Sequence, residues 1–232
     1  MLSPALEKQR HQLYAQTVEG LGDRLQGVDA PAALFAALGW GLEKMERTYA
    51  ETPAKVRATV ACRAGCAHCC STAVDVQAHE VFFAAEHIQV NFSPADLAGV
   101  VERTSVHRAQ RLGLGTDERT QLKIPCPLLR DGRCSIYAGR PEACRAHHSN
   151  DAPACAAHAA DPDLPNGKHY IPALRARLFA VMLGMDEAME SAGYDDRSYD
   201  FGSALHEALT NSLCLVRWMR RQPAFPDSCL AK

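Results

Sequence analysis

Eight of the ten cysteines in this chain lie between Cys62 and Cys155. The first group reads Cys62-Arg-Ala-Gly-Cys66-Ala-His-Cys69-Cys70. Thiolates two to four positions apart can converge on one ion, at zinc–sulfur distances of ~2.3 Å. Gly65 suits a tight turn around such a site. The second group is Cys126, Cys134, Cys144 and Cys155, at intervals of about ten residues. Such intervals carry no signal alone. Beside the dense first group, these four read as the remaining ligands, delivered by an ordered loop.

Cys69 and Cys70 pose a geometric question. Adjacent side chains diverge by roughly 100° on a helix and point oppositely on a strand. Either the two thiols serve two metal sites or one of them is packing. Eight thiols could make two four-cysteine sites, or one multi-iron cluster with spare structural cysteines. Sulfur-rich donors favour zinc, Cu(I) or iron–sulfur clusters over calcium or magnesium, and spacing does not choose among these. Four thiolates on a divalent ion leave an excess negative charge. Arg63, Arg133, Arg140 and Arg145 stand close in sequence to offset it and to donate to sulfur. His68 lies inside the first motif, and His147, His148 and His158 flank Cys155, so each is a candidate additional ligand. His79, His87, His107, His169 and His206 read as ordinary helix or surface histidines. Tyr137 reads as packing the loop, Cys214 as core and Cys229 as an unengaged tail residue.

The joint pattern carries a resemblance. The motif Cys-x3-Cys-x2-Cys-Cys is followed by Cys126-Pro-Leu-Leu-x3-Arg133-Cys134-Ser-Ile136-Tyr137-x2-Arg140-Pro141-x2-Cys144-Arg145. Together they resemble the YkgJ-type cysteine-cluster family, largely bacterial and described as zinc- or iron-chelating. The flagellin lysine N-methylase group carries a related cluster. The resemblance covers Cys62 to Cys155. It implies chelation of zinc or iron by Cys62, Cys66, Cys69, Cys70, Cys126, Cys134 and Cys144, with Cys155 just beyond the strongest motif. A methylase would need a pocket for S-adenosylmethionine, and no Gly-rich strand–loop–helix signature for one is present. The spacing Cys62-x3-Cys66-x2-Cys69 is also that of radical S-adenosylmethionine enzymes. Their βα-barrels need alternating strands and helices, which this chain lacks.

The elements that must position the thiols read as helices. Residues 3–50 give two, broken near Gly27–Pro31, the second running Pro31–Tyr49 with Leu34, Phe35, Leu38, Leu42 and Met45 on one stripe. Residues 77–91 form another. Ser93-Pro94 opens a fourth that runs to about Leu112, where Gly113 and Gly115 end it. Residues 124–168 read as irregular, with short helical turns near Arg140-Pro141 and Ala152-Pro153. So long an irregular segment needs something to order it, and bound metal would do so. Helices over about Ile171–Ser191 and Ser203–Arg221 close the chain. The expected fold is mainly α, with helices scaffolding an irregular cysteine-rich metal-binding loop region. It is read as one domain over residues 1–232, with a cysteine core at 62–155 between helical flanks at 1–55 and 170–222.

Composition narrows the function classes. A net charge of −2 without a basic tract argues against nucleic acid as a partner. A local basic patch could still form from Arg130, Arg133, Arg140 and Arg145. No apolar stretch has signal-peptide length, and the longest, near Leu178–Met185, is far shorter than the ~20 residues of a membrane span. The expectation is a soluble cytoplasmic protein with a metal ion as its partner, no membrane association and any protein partner open. In a reducing compartment so many cysteines indicate metal or redox chemistry rather than disulfides. Three roles remain: a chelating protein of unassigned activity, an iron–sulfur or iron-dependent protein-modifying enzyme such as a lysine N-methylase, and a redox or metal sensor in which Cys69 or Cys70 oxidises reversibly.

Overall fold

The computed structural model describes residues 3–63, 65–161, 163–164 and 169–231. The fold is mainly α, as expected: the described residues form eleven α-helices and only two-residue strands. Helix α1 (Pro4–Leu25) starts where Ser3 Oγ accepts the Leu6 N–H at 3.3 Å, with Pro4 at the first helical position. Helix α2 (Pro31–Ala50) buries Leu34, Leu38, Leu42 and Met45, the stripe read from the sequence. Phe35 of that stripe is only partly buried. A short α3 (Ala54–Arg57) follows.

Strand β1 (Asp75–Val76) leads into α4 (Ala78–Asn91), and Ser93 caps α5 (Pro94–Arg111) by accepting the Asp96 N–H at 3.2 Å. Gly113 then takes φ +82°, which stops the helix. Helix α6 (Thr116–Gln121) was not anticipated.

The segment expected to be irregular carries more local order than its composition implied; residues 162 and 165–168 of it lie outside the described residues. Strands β2 (Leu129–Arg130) and β3 (Arg133–Cys134) make a hairpin. Asp131 and Gly132 both have positive φ, 50° and 72°, at its turn. That is the Asp-Gly signal of a type I′ turn, legible in the sequence. Helices α7 (Glu142–Ala146) and α8 (Ala152–Ala160) follow, near the two expected turns.

Helix α9 (Pro172–Ser191) is the central post, with α1, α2 and α7 packed on it. Close approach needs small residues at the crossings. A Cβ on Gly184 would stand 2.7 Å from Thr17 Cβ, and one on Gly41 would stand 2.5 Å from Met185 Cε. After β4 (Tyr199–Asp200), which pairs antiparallel with β1, come α10 (Phe201–Thr210) and α11 (Leu213–Met219). One helix over Ser203–Arg221 was expected there. Asn211 divides it, because its side chain accepts the Leu213 N–H at 3.2 Å and competes with the helical ladder.

Helix α10 packs on α4 and α5. An aromatic group closes the core: Phe82 stacks on Trp218 at 4.7 Å and on Phe225 at 4.9 Å, and Tyr199 meets Phe225 edge-on at 5.0 Å. Phe225 draws the C-terminal segment inward, so Cys229 is fully buried rather than idle in a tail. Cys214 is buried in the core as expected. No described helix is long and apolar enough to cross a membrane.

Candidate metal centre

Backbone hydrogen bonds gather the cysteine segments. Ala61 N–H donates to Ser149 O at 2.8 Å, which fixes the first motif beside the α7–α8 connection. Cys126 N–H donates to Cys70 O at 2.6 Å, which fixes the same motif to the segment before the hairpin. The motif turns at Gly65, φ +86°, with Cys66 N–H donating to Arg63 O at 2.9 Å. It then enters a 3-10 turn, His68–Ser71, that packs against α8 and so faces the helix bearing Cys155. Cys134 comes from β3 and Cys144 from α7.

The thiols form two neighbourhoods that meet at Cys69. Burial raises the Cys62 thiol, and the charges of Cys66, Cys69 and Cys155 raise it further; the Ser149 N–H, which donates to its sulfur at 3.3 Å, works the other way. Burial raises Cys126 to about 11, with Cys134 and Cys69 adding to the rise. Burial also raises Cys134, against the lowering effect of Arg140 and Arg145. Cys144 is raised by burial and by Cys126, Cys69, Glu80 and Cys134. Cys69 is raised first by a hydrogen bond with the Cys70 thiol. Both cysteines lie on the 3-10 turn His68–Ser71. Cys69 and Cys144 are exposed as residues, although protein packed around each sulfur disfavours the bare thiolate.

The polar neighbours differ from the sequence reading. Arg140 and Arg145 act on Cys134 through charge, but their hydrogen bonds go elsewhere. Arg145 donates to Glu46 at 2.6 Å, to Arg140 O at 3.0 Å and to Ala138 O. Arg140 donates to Tyr137 O at 2.6 Å and lies over the Tyr137 ring at 3.8 Å. Tyr137 is thus an exposed platform for Arg140 rather than loop packing. Arg130 pairs with Asp96 at 2.8 Å. With Glu46 between Arg140 and Arg145 as well, three of the four arginines are compensated by carboxylates.

His148 stacks on Tyr49 at 5.0 Å. His158 donates from Nδ1 to Leu164 O at 3.0 Å and faces Lys123 Nζ from Nε2 at 3.2 Å. Both histidines have other work. His147 is exposed, and His68 lies half-buried within the 3-10 turn.

A second polar group was missed. His79 is buried, not an ordinary surface histidine. Its Nε2 lies 2.8 Å from Glu142 Oε1 and 3.8 Å from Asp186 Oδ1. Among the described residues, this trio offers ligand atoms all within 4.8 Å of one another. Glu80 adjoins it and accepts the Glu142 N–H at 2.8 Å and the Gln77 N–H at 2.8 Å. Burial pushes Glu80 and Glu142 up to about 8 and Asp186 to about 7. One sequence signal existed: Asp186 directly follows the longest apolar run, Leu178–Met185, on the same helix.

Residues 61–162 match the family model CxxCxxCC, described as “Putative zinc- or iron-chelating domain”. The match spans under half of the chain and every cysteine of the two groups. This chelating-domain match and the soft donor set both support metal binding. The chain departs from the Cys-x2-Cys-x2-Cys-Cys spacing of that model's name at one interval: three residues, not two, separate Cys62 from Cys66. No curated protein and no solved structure matches the chain.

Proposed function

We propose that the chain is a single-domain chelating protein whose eight cysteines, Cys62, Cys66, Cys69, Cys70, Cys126, Cys134, Cys144 and Cys155, bind zinc or iron in a two-lobed thiol centre. The observation that carries this reading is the pair of backbone hydrogen bonds, Ala61 N–H to Ser149 O and Cys126 N–H to Cys70 O, that ties the first cysteine motif to both of the other cysteine-bearing segments. Cys62, Cys66 and Cys155 supply one lobe, and Cys126, Cys134 and Cys144 the other. The Cys69–Cys70 pair joins them. This gives the adjacent cysteines a use that one mononuclear site does not.

The chain's own residues supply the binding chemistry. A tetrahedral ion with bonds of ~2.3 Å brings its sulfurs to ~3.8 Å of one another. Among the described residues, the trio of ligand atoms that already lies within 4.8 Å is His79, Glu142 and Asp186, so metal would draw the thiols together. In the metal-free chain, burial keeps Cys62, Cys126 and Cys134 protonated. A cation replaces those protons, so binding releases acid and strengthens as pH rises. Arg140 and Arg145 offset part of the negative charge left on the second lobe.

The test is metal content and a visible spectrum on protein purified without oxygen. Zinc with a featureless spectrum means thiolate-bound zinc, whereas iron with inorganic sulfide and a broad visible band means a cluster. Cys66→Ser and Cys134→Ser, made singly, are each expected to lose metal and soluble yield. Full metal retention by both would sink the proposed constellation.

A further inference from the structure

The buried group beside the thiol centre is built for a cation of a different kind. We propose that His79, Glu142 and Asp186 form a second metal site, independent of the cysteines, that takes a divalent first-row ion through one imidazole nitrogen and carboxylate oxygens. Three elements converge to make it: α4 brings His79, α7 brings Glu142 and α9 brings Asp186. The atom separations of 2.8 and 3.8 Å from His79 Nε2 bracket the ~3.0 Å between neighbouring ligands of an octahedral ion with bonds of ~2.1 Å.

Two observations separate this group from an ordinary buried ion pair. Glu142 is 1% exposed, and its Oε2 has no hydrogen-bond partner. A buried carboxylate oxygen without a donor costs free energy unless a proton or a cation meets it. Charge is the other. Glu80, Glu142 and Asp186 face one histidine. Arg145, the cation that acts on Glu142, spends its hydrogen bonds on Glu46, Arg140 O and Ala138 O. Three carboxyl groups thus gather around a single imidazole, a donor set that a divalent ion would satisfy.

Glu80 is a positioning residue. Both of its oxygens accept backbone N–H groups, one from α7 and one from the residue before α4, so it clamps the elements that carry Glu142 and His79. A small recess lined by Leu38, Leu42, Phe83, Arg140 and Met185 opens onto His79, Glu80 and Glu142; the Arg140 guanidinium there is directed to Tyr137 O and Glu46.

The two sites sit back to back. Glu142 and Cys144 are two positions apart on α7, about 200° around the helix, so they face nearly opposite ways. The donors also differ in kind. Carboxylates and imidazole suit Mn2+, Fe2+ or Zn2+, whereas Mn2+ has little affinity for thiolate.

Mn2+ is therefore the probe. The full-length chain, freed of metal, is titrated with Mn2+, and free ion is read from its electron paramagnetic resonance signal. One Mn2+ per chain is expected. Asp186→Asn and His79→Gln should each weaken it by about tenfold or more, with the fold checked by circular dichroism. Asp186 is partly exposed and asparagine has its shape, so that variant keeps the packing. The number of thiols reactive to a disulfide reagent should not change at saturating Mn2+. Absence of stoichiometric binding overturns the site. Unchanged affinity in Asp186→Asn, or protection of thiols by Mn2+, also overturns it. The thiol reading stands or falls separately, on metal retention by Cys66→Ser and Cys134→Ser.

Discussion

The ten cysteines fall into two chemical kinds. Cys214 and Cys229 are fully buried, and burial pushes Cys229 up to about 11. The eight between Cys62 and Cys155 all have some solvent contact. A buried, protonated thiol is inert to alkylation because the thiolate is the nucleophile. Brief alkylation of the folded, metal-free chain near pH 8, read by peptide mass mapping, should modify several of the eight and spare Cys214 and Cys229. Labelling of Cys229 at the rate of the partly exposed Cys66 would contradict its burial. The glutamates make a second residue-scale prediction. Glu80 and Glu142 titrate near 8 in the folded chain against 4.5 as the ordinary value. They bind protons more tightly when folded, so their stabilising contribution is complete below about 4.5 and is lost as pH rises through about 8. The metal-free chain should therefore melt at lower temperature as pH rises across that window. Glu142→Gln, which cannot ionise, should flatten the fall, and an unchanged slope would remove Glu142 as its source.

Helix crossings set the positions of these residues. Three of the helices that carry or support the sites, α1, α2 and α7, rest on α9, and α1 does so at a glycine. A Cβ at Gly184 would stand 2.9 Å from the Tyr14 carbonyl oxygen, a backbone atom that cannot swing aside. Gly184→Val should cost about 1–3 kcal/mol by overpacking, which lowers the melting temperature by several degrees. Gly22 in α1 is the control, since a Cβ there meets nothing within 4 Å. Gly22→Ala should raise stability by roughly 0.5–1 kcal/mol through helix propensity. Equal effects from both changes would show that the crossing is looser than the geometry states.

One buried hydrophobic cluster runs through the whole molecule, from Leu21 in α1 to Cys229 near the C-terminus, and Cys126 and Cys134 pack against its edge. The thiol centre is therefore attached to the core rather than hung on a separate arm. Removing metal should lower the melting temperature of the whole chain, because binding that occurs only in the folded state stabilises it. Calorimetry is expected to show a single transition with and without a chelator. Two transitions, only one of them moved by the chelator, would divide the chain into two domains.

The sequence by itself determined the chemistry of the cysteines and the places of most helices. Thiol spacing is a local property. So are the Ser93-Pro94 start of α5 and the apolar stripe of α2, because a cap and a helical period act within a few residues. The Asp131-Gly132 turn was equally local and went unread. Tertiary structure decided what depends on distant segments. It joined the first motif to the others through Ala61–Ser149 and Cys70–Cys126, pairings no spacing encodes. It buried Cys229 by seating Phe225 against Phe82 and Tyr199. It also brought His79, read from the sequence as an ordinary helix or surface histidine, together with Glu142 and Asp186 from two other helices. A buried polar group has meaning only through its partners, and these partners lie 63 and 44 residues apart along the chain, at a distance that only packing closes.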